Sequence, residues 1–419
     1  MKDPSLTHSH QGLRPLLITT AFVVVLLVCL VTVMRLPAAT KASGADALRK
    51  VFGERVVAAL ETVLFKLEDL SENAQYHLDM GNPASPWDGD GMNATPAPLL
   101  TSSALPATVL ATATPPLPIT PTSQNARTAQ PTSRPSPTVT PTWAPALVKP
   151  LGSLPGVGEW QPYLYDAAGR VVANRTFLQP DETRPYALTG VVALNLARVR
   201  LHYVIGWGDP YAPGIVQRST GLIPKKDLMS VFLLAGFNGG FKYEHGGFGS
   251  RADGFTSVPP KNGLGTIAIY QDGRVRMGVW NKDIFASPDM TDFRQNGLLV
   301  IQDKEITNLL DDPTLWGQVI SGGTVTWRSG LAISQDNRTL YYFAGSFLSI
   351  QTLAKAMAAV NPQNALQLDI NPSWVLFTAF HPSSNKLASE ALFPKDMISN
   401  RDRYLGPNAR DFFYIVLTP

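Results

Sequence analysis

The sequence is poor in the residues that build disulfides and zinc sites. Its 419 residues include one cysteine and six histidines, and charged residues make up only 16% of the chain. Because the single cysteine, Cys29, lies inside an apolar run, no intramolecular disulfide framework exists. The histidines of residues 151–419 stand apart, at positions 202, 245 and 381, so no zinc site is expected. Bound Ca²⁺ stays compatible with the sequence, because oxygen ligands from loops leave little trace in it.

Several common functional motifs are also missing. The formal net charge is +3 and no Lys/Arg cluster or stripe occurs, so we expect no nucleic-acid partner. The chain has no Gly-x-x-x-x-Gly-Lys-Ser/Thr loop and no dinucleotide-binding glycine pattern after a strand. It has no Gly-x-Ser-x-Gly turn of the serine hydrolases either. The expectation is a protein without an organic cofactor.

One long apolar run follows a short N-terminal tail at 1–14. Residues 15–34 carry no charge and are long enough to cross a bilayer as a helix, which predicts a transmembrane signal anchor. A cleaved signal peptide is the alternative, because the small residues of LPAATKASGA follow the run. The flanking charges do not set the orientation. Because a stalk-like segment follows, we expect a single-pass membrane protein with an extracytoplasmic C-terminal domain.

Residues 45–78 have the pattern of an amphipathic helix. Apolar side chains recur at alternating steps of four and three residues: Val56, Leu60, Val63, Leu67, Leu70 and Ala74. This heptad-like seam is compatible with a homo-oligomeric coiled coil. The alternative is a helix that lies on its own domain or on the membrane surface.

Residues 82–150 form a segment rich in Pro, Thr and Ser without hydrophobic periodicity. Such a composition predicts a disordered linker, because too little apolar surface is available to offset the chain entropy. Its Ser/Thr-Pro runs are typical of O-glycosylated stalks. The segment is interpreted either as a tether through a cell-wall layer or as a passive linker.

Residues 151–419 are long enough for a sizeable core and show recurrent hairpin signals. Apolar strands flank the turns QDGR, at 271–274, and QDNR, at 335–338, and 298–306 reads as a third hairpin. Ile350–Val360 has helical spacing with Ser349 as its N-cap, and a short buried strand at 365–370 follows. We therefore predict an α+β domain: a strand-rich mixed or antiparallel sheet domain with a few helices, preceded by the transmembrane helix and the disordered stalk.

Three stretches of this domain place polar residues at strand ends beside Gly or Pro. They are GFNGGFKYEHGGFG from 236, TWRSGLAIS from 326 and NALQLDINPSW from 364. Ligand-binding groups are often found where strands release the chain. Each stretch alone also has a plain structural interpretation: Asn-Gly-Gly as a turn, Arg328 as an ion-paired charge, and Asp369 as the cap of the following turn.

Taken together and in this order, the three stretches resemble the phosphodiester glycosidase family. The matching positions are 238–241 (Asn-Gly-Gly-Phe), 328–330 (Arg-Ser-Gly) and 368–369 (Leu-Asp), with RQNGLLVIQDKEI at 294–306 similar to the middle strand pair of the family. The likeness covers about 191–380. Where the family has Gly-Gly after the Asp, this chain has Ile370, Asn371 and Pro372.

The resemblance implies hydrolysis of a glycosyl phosphodiester. It makes Asp369 the nucleophile or base, Arg328 the cation that neutralises the phosphate, and Asn238 a residue that holds the substrate. The expected partner is a carbohydrate or glycosyl-phosphate substrate. The residues expected to bind this substrate are Gly239, Gly240, Glu244, His245, Ser329 and Asn371.

Glu244 and His245 are also candidate proton donors. The glycines at 239 and 240 would let the backbone approach a ligand closely. Two other interpretations stay open: a catalytically inactive glycan-binding module on the same fold, and a stalk protein whose head binds a partner.

Overall fold

The structure is a computed structural model that describes residues 54–78, 85–87, 143–228, 232–317, 325–382, 387–397 and 400–418. The predicted membrane segment at 15–34 and most of the predicted linker at 82–150 lie outside these residues. Within the described ranges, no helix is both long and apolar enough to cross a bilayer.

The described chain is built mainly from strands. Three helices occur in it: α1 (Glu54–His77), α2 (Lys225–Leu228) and α3 (Ile350–Ala358). The strands are β1 (Gln161–Tyr165), β2 (Val171–Leu178), β3 (Thr189–Asn195), β4 (Val199–Val204), β5 (Leu233–Asn238), β6 (Ser250–Ala252), β7 (Phe255–Val258), β8 (Gly265–Tyr270), β9 (Val275–Val279), β10 (Met290–Gln295), β11 (Leu299–Gln302), β12 (Glu305–Ile306), β13 (Thr326–Ile333), β14 (Thr339–Leu348), β15 (Asn364–Gln367), β16 (Phe377–Pro382), β17 (Leu387–Ala391) and β18 (Phe412–Leu417). A strand-rich domain with few helices is thereby confirmed.

The strands form three sheets. The first has eight strands in the order β1-β2-β3-β14-β13-β15-β11-β12, the second has five in the order β7-β6-β10-β8-β9, and the third has five in the order β17-β16-β5-β18-β4. The pairings between these strands are antiparallel. The predicted hairpins β8–β9, β11–β12 and β13–β14 all form.

The first sheet lies between two apolar layers. Along β14, Leu340 and Tyr342 belong to one buried cluster, while Tyr341 and Phe343 belong to the other. Successive side chains of a strand point to opposite faces, so each face fills a different layer. The predicted helix α3 is confirmed, and it covers one face with a stripe of buried side chains: Ile350, Leu353, Ala354, Ala356 and Met357.

Helix α3 begins at the cap that its sequence predicts. The Ser349 hydroxyl accepts a hydrogen bond from the Thr352 backbone N–H at 3.1 Å. The Thr352 hydroxyl in turn accepts one from the Ser349 backbone N–H at 2.9 Å. This reciprocal arrangement satisfies two N–H groups that have no partner within the helix.

The described N-terminal residues contact the domain. On α1, the Asp69 carboxylate accepts hydrogen bonds from the Tyr186 hydroxyl at 2.7 Å and from Arg184 Nε at 3.2 Å. Val63 and Leu70, two residues of the predicted seam, are exposed by 52% and 65%. Asp69 thus connects α1 to the strand-rich domain, and both interpretations of 45–78 stay predictions.

The predicted linker contacts the domain at both of its described ends. The Trp87 indole N–H donates to the Leu392 carbonyl at 2.8 Å. At the other end Val148 is buried, and the Lys149 N–H donates to the Ala359 carbonyl at 2.9 Å. Val148 and Lys149, which were expected to belong to the linker, therefore contact the domain.

Asp292 on β10 is a buried carboxylate of the second sheet. It accepts hydrogen bonds from the Asp253 N–H at 2.9 Å and from the Thr291 hydroxyl at 2.6 Å. Burial raises the pKa of Asp292 to about 6. The folded state thus holds this proton to higher pH than the unfolded chain, and the ionised carboxylate lowers stability as pH rises from about 4 to 6.

Asp292→Asn is therefore expected to raise the free energy of unfolding at pH 7.5 by roughly 2–3 kcal/mol and to change it little at pH 4. An amide preserves the hydrogen bonds, because its N–H can donate to the Thr291 hydroxyl, which already lies 3.2 Å from the Ile269 carbonyl. Urea unfolding at both pH values measures the effect. Asp336→Asn is the opposite control: hydrogen bonding, first from Ser334, lowers the pKa of Asp336, so this variant should lose stability at pH 7.5. A pH-independent effect of Asp292→Asn would contradict the assignment.

Candidate functional site

A small cleft, with room for about one water molecule, opens where strand β5 ends. β5 lies inside the third sheet, between β16 and β18, so its last residue is held on both sides. The lining residues come from four parts of the chain that the sheets bring together. They are Asn238, Gly239, Gly240, Asp369, Trp374, Arg403, Tyr404, Asn408, Arg410 and Asp411.

Asn238 anchors the loop that leaves β5. Its side-chain N–H groups donate to the Ser329 hydroxyl and to the Gly239 carbonyl, both at 2.9 Å. Its side-chain oxygen accepts from the Tyr342 hydroxyl at 2.8 Å and from the Leu376 N–H at 3.3 Å. An amide has two donors and two acceptor positions, so all of them are used within the protein. Asn238 lines the cleft, but its amide is committed to positioning the loop.

Gly239 and Gly240 are required by neighbouring side chains of the protein. A Cβ atom on Gly239 would lie 2.1 Å from Asp411 Oδ2, and one on Gly240 would lie 2.5 Å from Asn296 Oδ1. Both oxygens bind this loop: Asp411 Oδ2 accepts from the Gly240 N–H at 3.1 Å, and Asn296 Oδ1 accepts from the Phe241 N–H at 2.7 Å. The two glycines therefore let side chains of the protein reach the backbone of this loop. The sequence had suggested instead that they let a ligand approach the backbone.

Asp369 presents a fixed carboxylate to the cleft and is 5% exposed. Its Oδ1 accepts hydrogen bonds from the N–H groups of Ile370 at 2.7 Å and Asn371 at 2.9 Å. Its Oδ2 lies 2.9 Å from Arg410 Nη2. The residues Ile370 and Asn371, which replace the glycines of the resembled family, thus use their backbone to orient Asp369.

Two arginines lie close to the Trp374 ring. The guanidinium carbon of Arg403 lies 4.7 Å from the ring centroid, and that of Arg410 lies 5.2 Å from it. Arg410 also donates to the Gly240 carbonyl at 2.8 Å. Its Nε lies 4.0 Å from the Asp209 carboxylate, and burial is the main cause that raises the pKa of Asp209. The cleft therefore combines a carboxylate, two cations and an aromatic face.

A buried ion pair supports the floor of the cleft. Arg294 Nε lies 2.8 Å from Asp411 Oδ2, and both side chains are completely buried. Arg294 also donates to the carbonyls of Gln295 and Phe241, both at 2.6 Å. Burial alone lowers the pKa of Arg294, but Asp411, Tyr203 and Asp209 together outweigh burial, so that the pKa is raised above its usual range. Asp411 Oδ1 is buried and makes no hydrogen bond within the described chain.

Arg328, the expected phosphate-binding residue, does not line the cleft. On β13, Ser329 faces Asn238, and its neighbour Arg328 points to the opposite face of the sheet. There it donates to the carbonyls of Leu348 at 3.1 Å and Trp316 at 3.0 Å. Burial lowers the pKa of Arg328 to about 10. The expectation that Arg328 shares a site with Asp369 is thus corrected, because adjacent residues of a strand face opposite layers.

The other expected substrate-binding residues are scattered. The Ser329 hydroxyl donates to the Asp369 carbonyl at 2.9 Å, and so links β13 to the cleft loop without lining the cleft. The Asn371 side chain accepts from the Ser373 N–H at 2.8 Å. Glu244 and His245 lie on a short 3-10 turn with side chains exposed by 64% and 54%, outside the cleft lining. Of the residues predicted for the site, four line the cleft of the described chain: Asn238, Gly239, Gly240 and Asp369.

The sequence interpretation missed the cations and the second carboxylate of the cleft. Arg410 and Asp411 stand immediately before the apolar strand β18, in the run ARDFFYIVL. This is a polar strand end like the three that were singled out, so the same reasoning could have found it. Among the described residues, no group of three or more His, Cys, Asp or Glu is placed to hold a metal ion.

Comparison with known proteins finds weak structural similarity. No protein-family model matches the sequence, and no curated protein matches it. The catalytic domain of zebrafish N-acetylglucosamine-1-phosphodiester alpha-N-acetylglucosaminidase is similar with a TM-score of 0.39 and 17% identity, over 62% of this chain and 88% of that one. A hypothetical protein from Synechocystis is similar with a TM-score of 0.35 and 10% identity, over 55% of this chain and 59% of the other. At this level of identity and TM-score, the similarity assigns neither a family nor an activity to this chain.

Proposed function

We propose that the protein is a hydrolase of the phosphodiester glycosidase type, which removes a sugar from a glycosyl phosphodiester in envelope or extracellular glycans. The observation that carries the proposal is the Asp369 carboxylate, fixed in the cleft by two backbone N–H groups and Arg410. The sequence resemblance also supports the proposal, because it makes the same residue, Asp369, the nucleophile or base.

The groups of the cleft suit the charges of this reaction. Cleavage between the anomeric carbon and the bridging oxygen expels a phosphate monoester, which is a good leaving group, and water supplies the hydroxyl of the free sugar. A single carboxylate can therefore suffice as nucleophile or base at the anomeric carbon, the role proposed for Asp369. Arg410 and Arg403 would neutralise the phosphate, since a guanidinium offers paired donors to its oxygens. Trp374 would stack on the sugar. The cation that the resemblance placed at Arg328 is thus proposed to come from Arg410.

A glycan-binding module without catalysis is the second candidate. The observation in its favour is that the predicted catalytic groups are already bonded within the protein: the Asn238 amide uses all its positions, and both oxygens of Asp369 are bonded. A nucleophile would have to leave the Arg410 contact before attack.

Turnover by the full chain decides between the two candidates. Wild-type protein and Asp369→Asn are incubated with a panel of nitrophenyl N-acetylglucosaminyl phosphodiesters, and free sugar is measured. We expect release by the wild type and a loss of about 100-fold or more in kcat/KM for Asp369→Asn. Glu182→Gln, an exposed residue paired only with Lys355, is the control and should keep full activity.

The outcomes are distinct. Sugar release that survives Asp369→Asn would refute the role of this carboxylate. Binding of the panel by folded wild-type protein, measured by calorimetry, without any release would favour the binding module.

We further propose that residues 15–34 anchor the protein in a membrane, with the strand-rich domain on the extracytoplasmic side. The support is the length and the uncharged composition of the run.

A further inference from the structure

A closed surface loop from Gly206 to Leu222 is attached to one wall of the cleft. At its start, the Trp207 N–H donates to the Asn408 carbonyl at 3.0 Å. At its end, the Asn408 N–H donates to the Gly221 carbonyl at 2.9 Å. Asn408 itself lines the cleft. Both ends of the loop therefore meet on the same residue, as in a compact Ω-loop.

The loop is packed on its own side chains. The Tyr211 hydroxyl donates to the Gly206 carbonyl at 2.8 Å and accepts from the Ser219 N–H at 2.7 Å. The Arg218 guanidinium lies 4.1 Å over the Tyr211 ring. The Ala212 N–H donates to the Ser257 carbonyl on β7 at 2.9 Å. The outward side chains are thus presented by an internally bonded loop.

Those outward side chains are large and apolar. Trp207 is 53% exposed, Val216 is 90% exposed and Leu222 is 36% exposed. Trp207 and Leu222 belong to the two ends of the loop that Asn408 joins, and contiguous exposed apolar residues mark interaction surfaces. Trp in particular is enriched where a protein meets the interface of a bilayer.

The exposed charges around these residues are positive. Arg218, Lys225 and Lys226 are exposed, and α2 buries no side chain. The two acidic residues of the same stretch are engaged inward: Asp209 accepts from the Tyr243 N–H at 3.2 Å, and Asp227 accepts from the Tyr414 hydroxyl at 2.8 Å. The loop 206–222 and α2 together form a docking surface, which is apolar with a cationic rim.

We propose that this docking surface binds the surface of an anionic lipid bilayer. Apolar side chains with a Trp enter the headgroup region, while Arg and Lys contact anionic headgroups. The chain length agrees with this. The run predicted to cross the membrane ends at Met34, and α1, which contacts the domain through Asp69, begins at Glu54. The intervening residues span at most roughly 70 Å.

Docking would hold the cleft near the lipid headgroups, because Asn408 belongs to both the cleft and the base of the loop. The proposal does not depend on which reaction, if any, the cleft performs. Its test therefore measures whether the loop contacts lipid, and it does not measure turnover.

The test places a fluorescent label on the docking surface of the full chain. Cys29 is replaced by Ser, and Val216→Cys is labelled with an environment-sensitive nitrobenzoxadiazole dye. The protein is reconstituted into vesicles of phosphatidylcholine with phosphatidylglycerol, with and without a lipid that carries a spin-label quencher. The matched control is Phe285→Cys, which is 57% exposed on the connection after β9, at the opposite edge of the second sheet from β7.

We expect the label at 216 to lose at least about half of its emission to the lipid quencher, and the label at 285 to be unaffected. The double change Lys225→Ser/Lys226→Ser, or vesicles of phosphatidylcholine alone, should weaken the quenching at 216. The proposal is overturned by no quenching at 216 or by equal quenching at both labels. Quenching at 216 that is unchanged both by the two lysine substitutions and by the use of phosphatidylcholine alone also overturns it. An emission change at 216 caused by a soluble N-acetylglucosamine oligosaccharide, without lipid quenching, would assign the surface to glycan binding instead.

Discussion

Asp411→Asn is expected to lower the free energy of unfolding by about 3–5 kcal/mol. The carboxylate is completely buried against Arg294, which is equally buried, so the substitution leaves a cation without a counter-charge in the interior. Asp411 Oδ2 also accepts hydrogen bonds from the Tyr203 hydroxyl at 3.1 Å and the Gly240 N–H at 3.1 Å. A single substitution therefore disturbs both the charge balance and the loop that leaves β5.

Urea unfolding at neutral pH measures this loss. The matched control is Asp272→Asn, which removes an ion pair with Arg274 on an exposed hairpin, and only a small loss is expected there, because solvent screens an exposed pair. Equal effects for the two variants would show that burial does not set the energy of the Arg294–Asp411 pair. A variant that is too unstable to purify agrees with the prediction only if the Asp272 variant is obtained normally.

Gly239→Ala is the second change for which we expect a large effect, a loss of about 3 kcal/mol. The new Cβ would lie 2.1 Å from Asp411 Oδ2 and 2.8 Å from the Asp411 carbonyl. The carboxylate cannot move aside freely, because Arg294, Tyr203 and the Gly240 N–H all bond the same oxygen. The strain therefore falls on the backbone between β5 and the cleft.

Thermal and urea unfolding of Gly239→Ala test this loss. Gly406→Ala is the control, because no atom lies within 4 Å of its Cβ position and its backbone is extended, so a change within about 0.5 kcal/mol is expected. A Gly239 variant as stable as the Gly406 variant would mean that the Asp411 side chain can relocate without cost. Contact with Asp411 would then no longer explain why position 239 is a glycine.

Much of the local structure could be read from the sequence. The turn residues of QDGR and QDNR predicted the hairpins β8–β9 and β13–β14, because turns of this kind depend on a few adjacent residues. Ser349 predicted the start of α3 for the same reason. The end of β5 at Asn238 was also visible, since an apolar run gives way there to polar residues and glycine.

The membership of the site was predicted only in part. TWRSGLAIS is buried along nearly its whole length, so apolar and polar residues do not alternate clearly, and the sequence gives no sign of which face of the strand, that of Arg328 or that of Ser329, is directed toward Asn238. Arg410 and Asp411 also stand at a polar strand end, but their position beside Asp369 depends on which strand β18 pairs with. The pairing of β18 with β5 brings them to the cleft, and such a pairing over a long stretch of sequence leaves no local signal.

The sequence by itself determined where strands, turns and the cap of α3 occur, and it singled out Asp369 and the glycines after Asn238. These features depend on neighbouring residues, whose conformational preferences act over a few positions. Only the tertiary structure decided which cation accompanies Asp369, why Gly239 has no side chain, and that the loop 206–222 is attached to the cleft wall. Those outcomes depend on which strands lie side by side and which face each residue takes, and both are set by the packing of three sheets as a whole.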